Sequence, residues 1–221
     1  MKLWRRLCGF LPSDFMLGNP HEPPLPGFME SLGRHLQPLN DQWYAYKENE
    51  TASREVIANS LRRWRGLPFD PEDIFVTNGS FAGLSIAIKA LAEAGDEVIF
   101  ISPPWFFYES LIAAEGATPV RVKCDLETFD LDLDAIADAI SERTSAIIIN
   151  SPHNPTGKIY PEATLRGLAE LLRNASVKHG RPVFIVSDEA YCRIVYDGRP
   201  CPSPISFYEH SFLIYTYGKT L

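Results

Sequence analysis

The sequence has few of the residues that mark secreted, membrane or metal-dependent proteins. Its four cysteines form no C-x-x-C pair and have no histidine at metal-ligand spacing, which indicates reduced thiols and a cytoplasmic protein. The five histidines are scattered and form no H-E-x-x-H motif, so we expect no metal site. No apolar run approaches about 18 residues, and the N-terminus lacks the uninterrupted apolar stretch of a signal peptide. The cysteines are Cys8, Cys124, Cys192 and Cys201.

The sequence also lacks a concentration of basic residues. It has 21 Lys and Arg against 28 Asp and Glu, a formal net charge of −7, which argues against a nucleic-acid partner. The hydrophobic share of 45% and charged share of 22% are typical of a soluble globular chain and exclude disordered, collagen-like and coiled-coil proteins. A length of 221 residues indicates one large domain or one and a half.

The chain divides into an arm and a larger domain. Proline and glycine are frequent before about residue 36, so residues 1–40 are predicted to form an extended N-terminal arm that lies on another surface, and 41–221 the main domain. A helix is predicted over 51–65, where Ile57, Leu61 and Trp64 form one apolar stripe.

From residue 73 onward, short apolar strands alternate with helices. Such alternation predicts an α/β fold, a mostly parallel sheet covered by helices on both faces. Ligands of these sheets bind beyond the carboxyl ends of the strands, so the loops after the strands are the candidate site. The predicted strands are 73–77, 97–101, 119–122, 146–149, 182–187 and 212–217, and the predicted helices are 80–94, 105–115, 132–140 and 161–178.

Two of these loops suggest ligand binding but allow a structural interpretation. The loop T-N-G-S-F at 77–81 joins a strand to a helix, so the free N–H groups of the helix could bind an anion, or Asn78 or Ser80 could simply cap the helix. The loop S-P-P-W-F-F-Y at 102–108 presents aromatic rings, which either stack on a flat ligand or pack into the core.

Three further loops carry polar groups. The motif N-P-T-G at 154–157 follows the most apolar strand and holds Asn154 in a rigid turn, whether for function or for structure. Asp188 ends a buried strand and needs a partner, with Tyr191 three residues later, although Asp188 could instead cap a helix. Lys219 ends the last predicted strand and is either a reactive amine or a solvated surface residue.

The order of these five loops resembles the large domain of class I aminotransferases, which are fold-type I enzymes that use pyridoxal 5′-phosphate. The motifs N-P-T-G, D-E-A-Y and T-Y-G-K carry most of the resemblance, which covers 17–221. It implies a three-layer α/β/α domain and an enzyme that moves an amino group between an amino acid and a 2-oxo acid. It also implies a homodimer, because active sites of this family lie at the subunit interface.

The resemblance assigns catalytic roles to individual residues. Lys219 matches the lysine that bonds covalently to the cofactor and moves a proton during the reaction. Asp188 matches the carboxylate that faces the pyridine nitrogen of the cofactor. Asn154 and Tyr191 match the pair that hydrogen-bonds its phenolic oxygen, and Trp105 matches the aromatic residue stacked on its ring.

Other positions match the groups that bind the phosphate and the substrate. Tyr44 resembles a tyrosine that reaches the phosphate of the partner subunit, and Gly18 resembles a glycine near the substrate carboxylate, to which Asn154 also lies close. The match at Tyr44 departs from the family pattern because Asn49 stands where a glycine is usual. The residues that match the phosphate loop and its hydroxyl donor are Gly79, Ser80, Phe81 and Thr216.

The family pattern continues past the lysine, whereas this sequence ends two residues after Lys219. The G-x-R-x-G segment and the small domain, with their phosphate-binding and substrate-binding arginines, are absent. We therefore expect this chain alone to bind the cofactor weakly and to turn over poorly. Two alternatives stay open: another reaction of the same cofactor, such as β-elimination or cyclisation, and a non-catalytic binding module.

Overall fold

Five strands and six α-helices are found in the part of the chain that the structure describes. The computed structural model describes residues 23–220 of the chain. The strands are β1 Glu97–Ser102, β2 Thr118–Lys123, β3 Thr144–Asn150, β4 Phe184–Asp188 and β5 Ser211–Ile214. The helices are α1 Pro26–Arg34, α2 Thr51–Arg65, α3 Gly79–Leu91, α4 Tyr108–Ala114, α5 Leu133–Ala139 and α6 Glu162–His179, and short 3₁₀ turns span Pro71–Asp73, Pro204–Ser206 and Tyr217–Lys219.

The strands form one parallel sheet with the order β2-β1-β3-β4-β5. The chain crosses from β1 to β2 on one side and then returns past β1 to β3, so the direction of winding reverses between β1 and β3. In sheets of this kind, a crevice opens at the carboxyl ends of the strands beside that reversal. This topology brings the loops after β1, β3 and β4 to the same edge.

Helices cover both faces of the sheet, as predicted. One apolar cluster joins Ile99, Ile147 and Ile149 of the strands to Leu165 and Leu168 of α6. The other joins alternate strand residues to α3 and α4. Because successive residues of a strand point to opposite faces, β3 fills both clusters, and all seven of its residues are buried. The predicted three-layer α/β/α arrangement is confirmed.

The periodic segments agree with their predictions to within a few residues. Helix α2 spans the predicted residues 51–65, and Gly66 ends it with a φ of 70°, a conformation that glycine adopts without strain. Helix α6 lies within one residue of its predicted range, with Leu165, Leu168 and Leu172 buried and Leu171 partly buried. The strong apolar stripe of each of these helices made its position readable from sequence.

Two predictions were wrong. The arm is not extended throughout, because α1 forms at 26–34, where Pro26 takes the first helical position that proline favours; none of its residues is buried. Residues 74–77 are not a strand either. The backbone N–H of Val76 donates to Asn49 Oδ1 at 2.5 Å, and Phe75 is 77% exposed, so this segment pairs with none of the described strands.

Across residues 23–220, no helix is both long and apolar enough to cross a membrane.

Candidate functional site

A cavity of about 280 Å³ opens at the carboxyl ends of β1, β3 and β4. A more open groove of about 420 Å³ lies along α5 and α6, but none of the residues predicted for the site lines it. The first cavity is therefore the candidate site. Its lining consists of Ser80, Phe81, Trp105, Phe106, Phe107, Asn150, Asn154, Asp188, Ala190, Tyr191 and Lys219.

Asp188 supplies a buried carboxylate at the tip of β4. The hydroxyl of Tyr108 donates to Asp188 Oδ2 at 2.6 Å, and the backbone N–H of Ala190 donates to Oδ1 at 3.3 Å. Burial raises the pKa of Asp188 above its ordinary value, while the Tyr108 hydrogen bond and the charge of Lys219 oppose that rise. A cation bound in the cavity would stabilise the ionised form, because a buried charge needs a partner.

Residues 190–193 form a turn and not a helix, so Asp188 is not a helix cap. The turn places Tyr191 beside Asn154, whose Nδ2 donates to the Tyr191 oxygen at 3.3 Å. Burial raises the pKa of Tyr191, which keeps its phenol protonated. Since that oxygen already accepts from Asn154, its own proton is available to a ligand in the cavity.

Asn154 is held in turn by the end of β3. Asn150 Oδ1 accepts from the backbone N–H of Asn154 at 2.6 Å, and Asn150 Nδ2 donates to the carbonyl of Asp188 at 2.9 Å. The register of the sheet pairs Asn150 directly with Asp188. The neighbouring strands β3 and β4 thus orient the amide, the phenol and the carboxylate together.

The Lys219 side chain enters the cavity from the 3₁₀ turn after β5. Its ammonium lies 5.6 Å from the centre of the Tyr191 ring. Thr216 begins this turn, and its hydroxyl accepts from the backbone N–H of Gly218 at 3.2 Å. Thr216 itself is not among the cavity residues, and its role as a hydroxyl donor to a phosphate stays a prediction.

The N-terminus of α3 forms another wall of the cavity. Gly79 turns the chain with a φ of 77°, and Ser80 and Phe81 follow in the first turn of the helix. Asn78 makes no capping hydrogen bond with its side chain, so the capping interpretation fails at this residue. The first N–H groups of a helix have no partner within the helix and favour an anion, which suits a phosphate.

The aromatic residues after β1 reach both the core and the cavity. Trp105 is half-buried and borders the cavity, with Phe81 and Phe107 in edge-on contact at 5.8 and 5.2 Å between ring centres. Tyr108 turns inward and is buried. The loop therefore does both: Trp105 borders the cavity, and Tyr108 packs into the core.

Seven of the residues predicted for the site lie together, and others do not. Gly79 adjoins the cavity in the chain, whereas Tyr44 is 81% exposed and lies away from it. The role of Tyr44 at a partner subunit stays a prediction. Gly18 lies outside the described residues. The residues that line the cavity are Ser80, Phe81, Trp105, Asn154, Asp188, Tyr191 and Lys219.

Sequence reasoning missed the role of two residues. Tyr108 belongs to the aromatic loop at 102–108, and its hydroxyl is the hydrogen-bond donor to Asp188. Its position three residues after Trp105, at the start of α4, places both on one side of a helical turn and was the available signal. No sequence signal marked Asn150, which links Asn154 to Asp188.

His153 stabilises the turn that carries Asn154. Its ring Nδ1 lies 2.8 Å from the hydroxyl of Thr156, and its backbone N–H donates to the carbonyl of Lys158 at 2.8 Å. Burial lowers the pKa of His153 to about 4, so the ring is neutral at physiological pH. It acts as a packed, hydrogen-bonded part of the turn and not as a cation.

The fold and cavity define a class: a three-layer α/β domain with a lysine, a buried carboxylate and a helix N-terminus around one cavity. Comparison with known proteins identifies the family. The sequence model of "Aminotransferase class I and II" matches residues 21–221, and the chain belongs to this family.

Similar proteins are aminotransferases. A probable aspartate/prephenate aminotransferase of Thermus aquaticus is 36% identical over 78% of this chain and 44% of its own length. A probable aspartate aminotransferase of Methanocaldococcus jannaschii is 36% identical over 76% of this chain and 42% of its own. The chain thus spans less than half the length of these relatives.

Solved structures agree with the fold. An aminotransferase from Eubacterium rectale superposes with a TM-score of 0.87 at 35% identity, over 92% of this chain and 52% of that one. The N-succinyldiaminopimelate aminotransferase of Mycobacterium tuberculosis gives a TM-score of 0.81 at 30% identity, over 91% and 52% of the two chains.

The hydrogen bond from Tyr108 to Asp188 generates a prediction about stability and pH. Tyr108→Phe should lower the free energy of unfolding by about 1.5–3 kcal/mol at neutral pH, because it removes a bond to a charged group. The bond lowers the pKa of Asp188, so the loss should shrink as acid protonates the carboxylate. Urea unfolding at several pH values measures both effects.

Tyr208→Phe is the matched control for this measurement. Tyr208 is equally buried, but its hydroxyl donates to the neutral carbonyl of Val183 at 2.7 Å. The stability lost in this variant should not depend on the protonation of an acceptor. Equal pH dependence in the two variants contradicts the assignment of Tyr108 to an ionised Asp188.

His153 generates a second prediction. Its pKa falls from an ordinary 6.5 to about 4 in the fold, so between these values the unfolded chain takes up a proton and the folded chain does not. The free energy of unfolding should therefore decrease as pH falls through this window, by roughly 3 kcal/mol at most. His153→Gln should flatten the profile in urea unfolding, and His179→Gln, in the last turn of α6, should not. An unchanged slope in His153→Gln speaks against a neutral buried ring.

Proposed function

We propose that the protein of which this chain is part is a pyridoxal-phosphate-dependent aminotransferase that moves an amino group between an amino acid and a 2-oxo acid. The observation that carries the proposal is the convergence of Lys219, Asp188 and Tyr191 on one cavity beside the N-terminus of α3. The family and the names of its relatives support the same conclusion.

The residues of the cavity suit this cofactor group by group. The N-terminus of α3 suits its phosphate, through the backbone N–H groups of Ser80 and Phe81. Trp105 offers an aromatic face at the cavity wall, and the buried Asp188 suits a protonated ring nitrogen. Asn154 and Tyr191 offer two donors to a phenolic oxygen.

When bound, the cofactor supplies an aldehyde that bonds to amines and a ring that accepts electrons from the substrate α-carbon. The protein residues do the remaining work. Lys219 would hold the cofactor through its amine until the amine of the substrate displaces it, and the freed amine would then move the proton at the substrate α-carbon. Asp188 keeps the ring nitrogen protonated, and Tyr108 keeps the carboxylate oriented toward it.

Substrate class, assembly and compartment remain proposals. The described residues that line the cavity include a single cation, Lys219, so a group that grips a substrate carboxylate must come from elsewhere. A homodimer supplies such groups in the class of enzymes that this chain resembles, and Tyr44, exposed here, is our candidate for a contact with the partner's phosphate site. We place the protein in the cytoplasm because its cysteines form no pairing pattern.

Other reactions of the same cofactor begin with the same groups. Elimination and cyclisation differ in which bond at the substrate α-carbon is held perpendicular to the ring, and the described residues do not fix that angle. Incubation of the complete protein with amino donors and 2-oxo acids, with separate assays for a new amino acid and for released ammonia, distinguishes transamination from elimination.

The role of Lys219 is directly testable in this chain. After incubation with pyridoxal 5′-phosphate and reduction with borohydride, mass spectrometry should find the cofactor attached to Lys219. Lys219→Ala should lose this adduct, since its amine is the bonding group. Lys158→Ala should keep it, because Lys158 pairs with Asp130 away from the cavity. An adduct of equal yield in Lys219→Ala refutes the assignment.

A further inference from the structure

Glu189, the residue after Asp188, is a buried carboxylate outside the cavity. Its side chain is 1% exposed and accepts from groups in three separate segments. Ser187 of β4 donates to it at 2.8 Å, and Ser203 and Arg65 also donate. Arg65 is the last residue of α2, so this one carboxylate joins α2 to the end of β4.

Arg65 is also buried, and both of its terminal nitrogens donate hydrogen bonds, although its Nε has no partner among the described residues. Its side chain is 8% exposed, and Nη1 donates to the carbonyl of Cys201 at 2.9 Å. The guanidinium carbon lies 3.9 Å from the centre of the Trp64 ring, and that ring lies 5.7 Å from the ring of Tyr215, which follows β5. The pair is therefore part of the packed interior and differs from an exposed ion pair.

The position of the pair bears on the site. Successive residues of an extended strand point to opposite sides. Ser187 and Glu189 therefore point to the side on which Arg65 lies, whereas Asp188 points into the cavity. The turn that follows is closed by Cys192 N–H to Glu189 O at 3.2 Å and Ile194 N–H to Tyr191 O at 2.8 Å. Fixing Glu189 thus fixes the start of the turn that carries Tyr191.

Stability alone does not account for such a pair. Two charges lose their hydration when they are buried, and apolar residues of similar volume often replace a buried ion pair without loss of stability. What an ion pair provides is a defined direction and distance between two segments. Here the pair fixes the backbone at Glu189, which is one residue from Asp188 and two residues from Tyr191.

We propose that Arg65 and Glu189 are positioning residues that hold Asp188 and Tyr191 in the orientation required at the cavity. The pair touches neither cofactor nor substrate and acts through the turn at 189–194. Its link to cofactor binding rests on the function proposed above, whereas its effect on the turn does not.

The test compares variants of the 221-residue chain. Arg65→Met leaves a buried carboxylate unpaired and risks failure to fold, so the main variant is Arg65→Met with Glu189→Gln, which removes both charges. Arg65→Lys keeps the charge but not the forked geometry. The control is Arg181→Met, which breaks a two-bond pair with Asp96 at 2.8 and 2.9 Å, next to the start of β1 and away from the cavity.

The first measurement is backbone hydrogen exchange without cofactor, at the amides of Cys192 and Ile194. The double variant should exchange at least about tenfold faster at both amides, because the turn loses its anchor. Arg65→Lys should fall between the double variant and the parent. Arg181→Met should stay within about twofold of the parent at these amides.

The second measurement is the dissociation constant of pyridoxal 5′-phosphate and the pH midpoint of its visible absorbance when bound. We expect binding at least about tenfold weaker and a displaced midpoint in the double variant, with neither change in Arg181→Met. A purely structural pair would alter stability without moving the midpoint.

A folded double variant with parent-like exchange at both amides and an unchanged dissociation constant overturns the proposal. An adduct that forms in equal yield in the parent chain and in Lys219→Ala instead contradicts the proposed function. The exchange measurement, made without cofactor, then still decides whether the pair positions the turn.

Discussion

The buried carboxylate of Asp188 is the constraint on which the site depends. It lies at the end of β4, where burial raises its pKa and where Tyr108 and the N–H of Ala190 are its hydrogen-bond donors. Because burial disfavours the ionised form, a carboxylate in this position favours a cationic ligand. The parallel sheet makes the arrangement possible, because β1, β3 and β4 end at the same edge. Helices cover both faces of this sheet.

The tip of β4 serves two purposes in consecutive residues. Asp188 faces the cavity, and Glu189 faces Arg65 at the end of α2. Asn150 lies opposite Asp188 in the sheet, and its side chain accepts a hydrogen bond from the backbone N–H of Asn154. Asp188 and Asn154 are thus oriented by backbone register and by hydrogen bonds with Tyr108 and Asn150. This arrangement explains how a few loop residues can be held with the accuracy that catalysis requires.

Sequence alone predicted what depends on local pattern. Helix α2 followed from its apolar stripe, and β3 from its strongly apolar residues. The site residues followed from motifs whose order resembles a known family. What failed depends on distant pairing: 73–77 has strand-like residues but pairs with none of the described strands, and Arg65 meets Glu189 across 124 positions. The bond from Tyr108 to Asp188 likewise joins residues that are 80 positions apart.

The most direct test of this account is the titration of Asp188 itself, by carbon-13 NMR of labelled aspartate with Asp188→Asn to assign the signal. The account predicts that the carboxyl titrates above its ordinary 3.8 in the cofactor-free chain. It also predicts that the midpoint moves to lower pH when the chain is saturated with pyridoxal 5′-phosphate, because a protonated ring nitrogen stabilises the carboxylate. An ordinary midpoint without the cofactor, or one that the cofactor does not move, contradicts it.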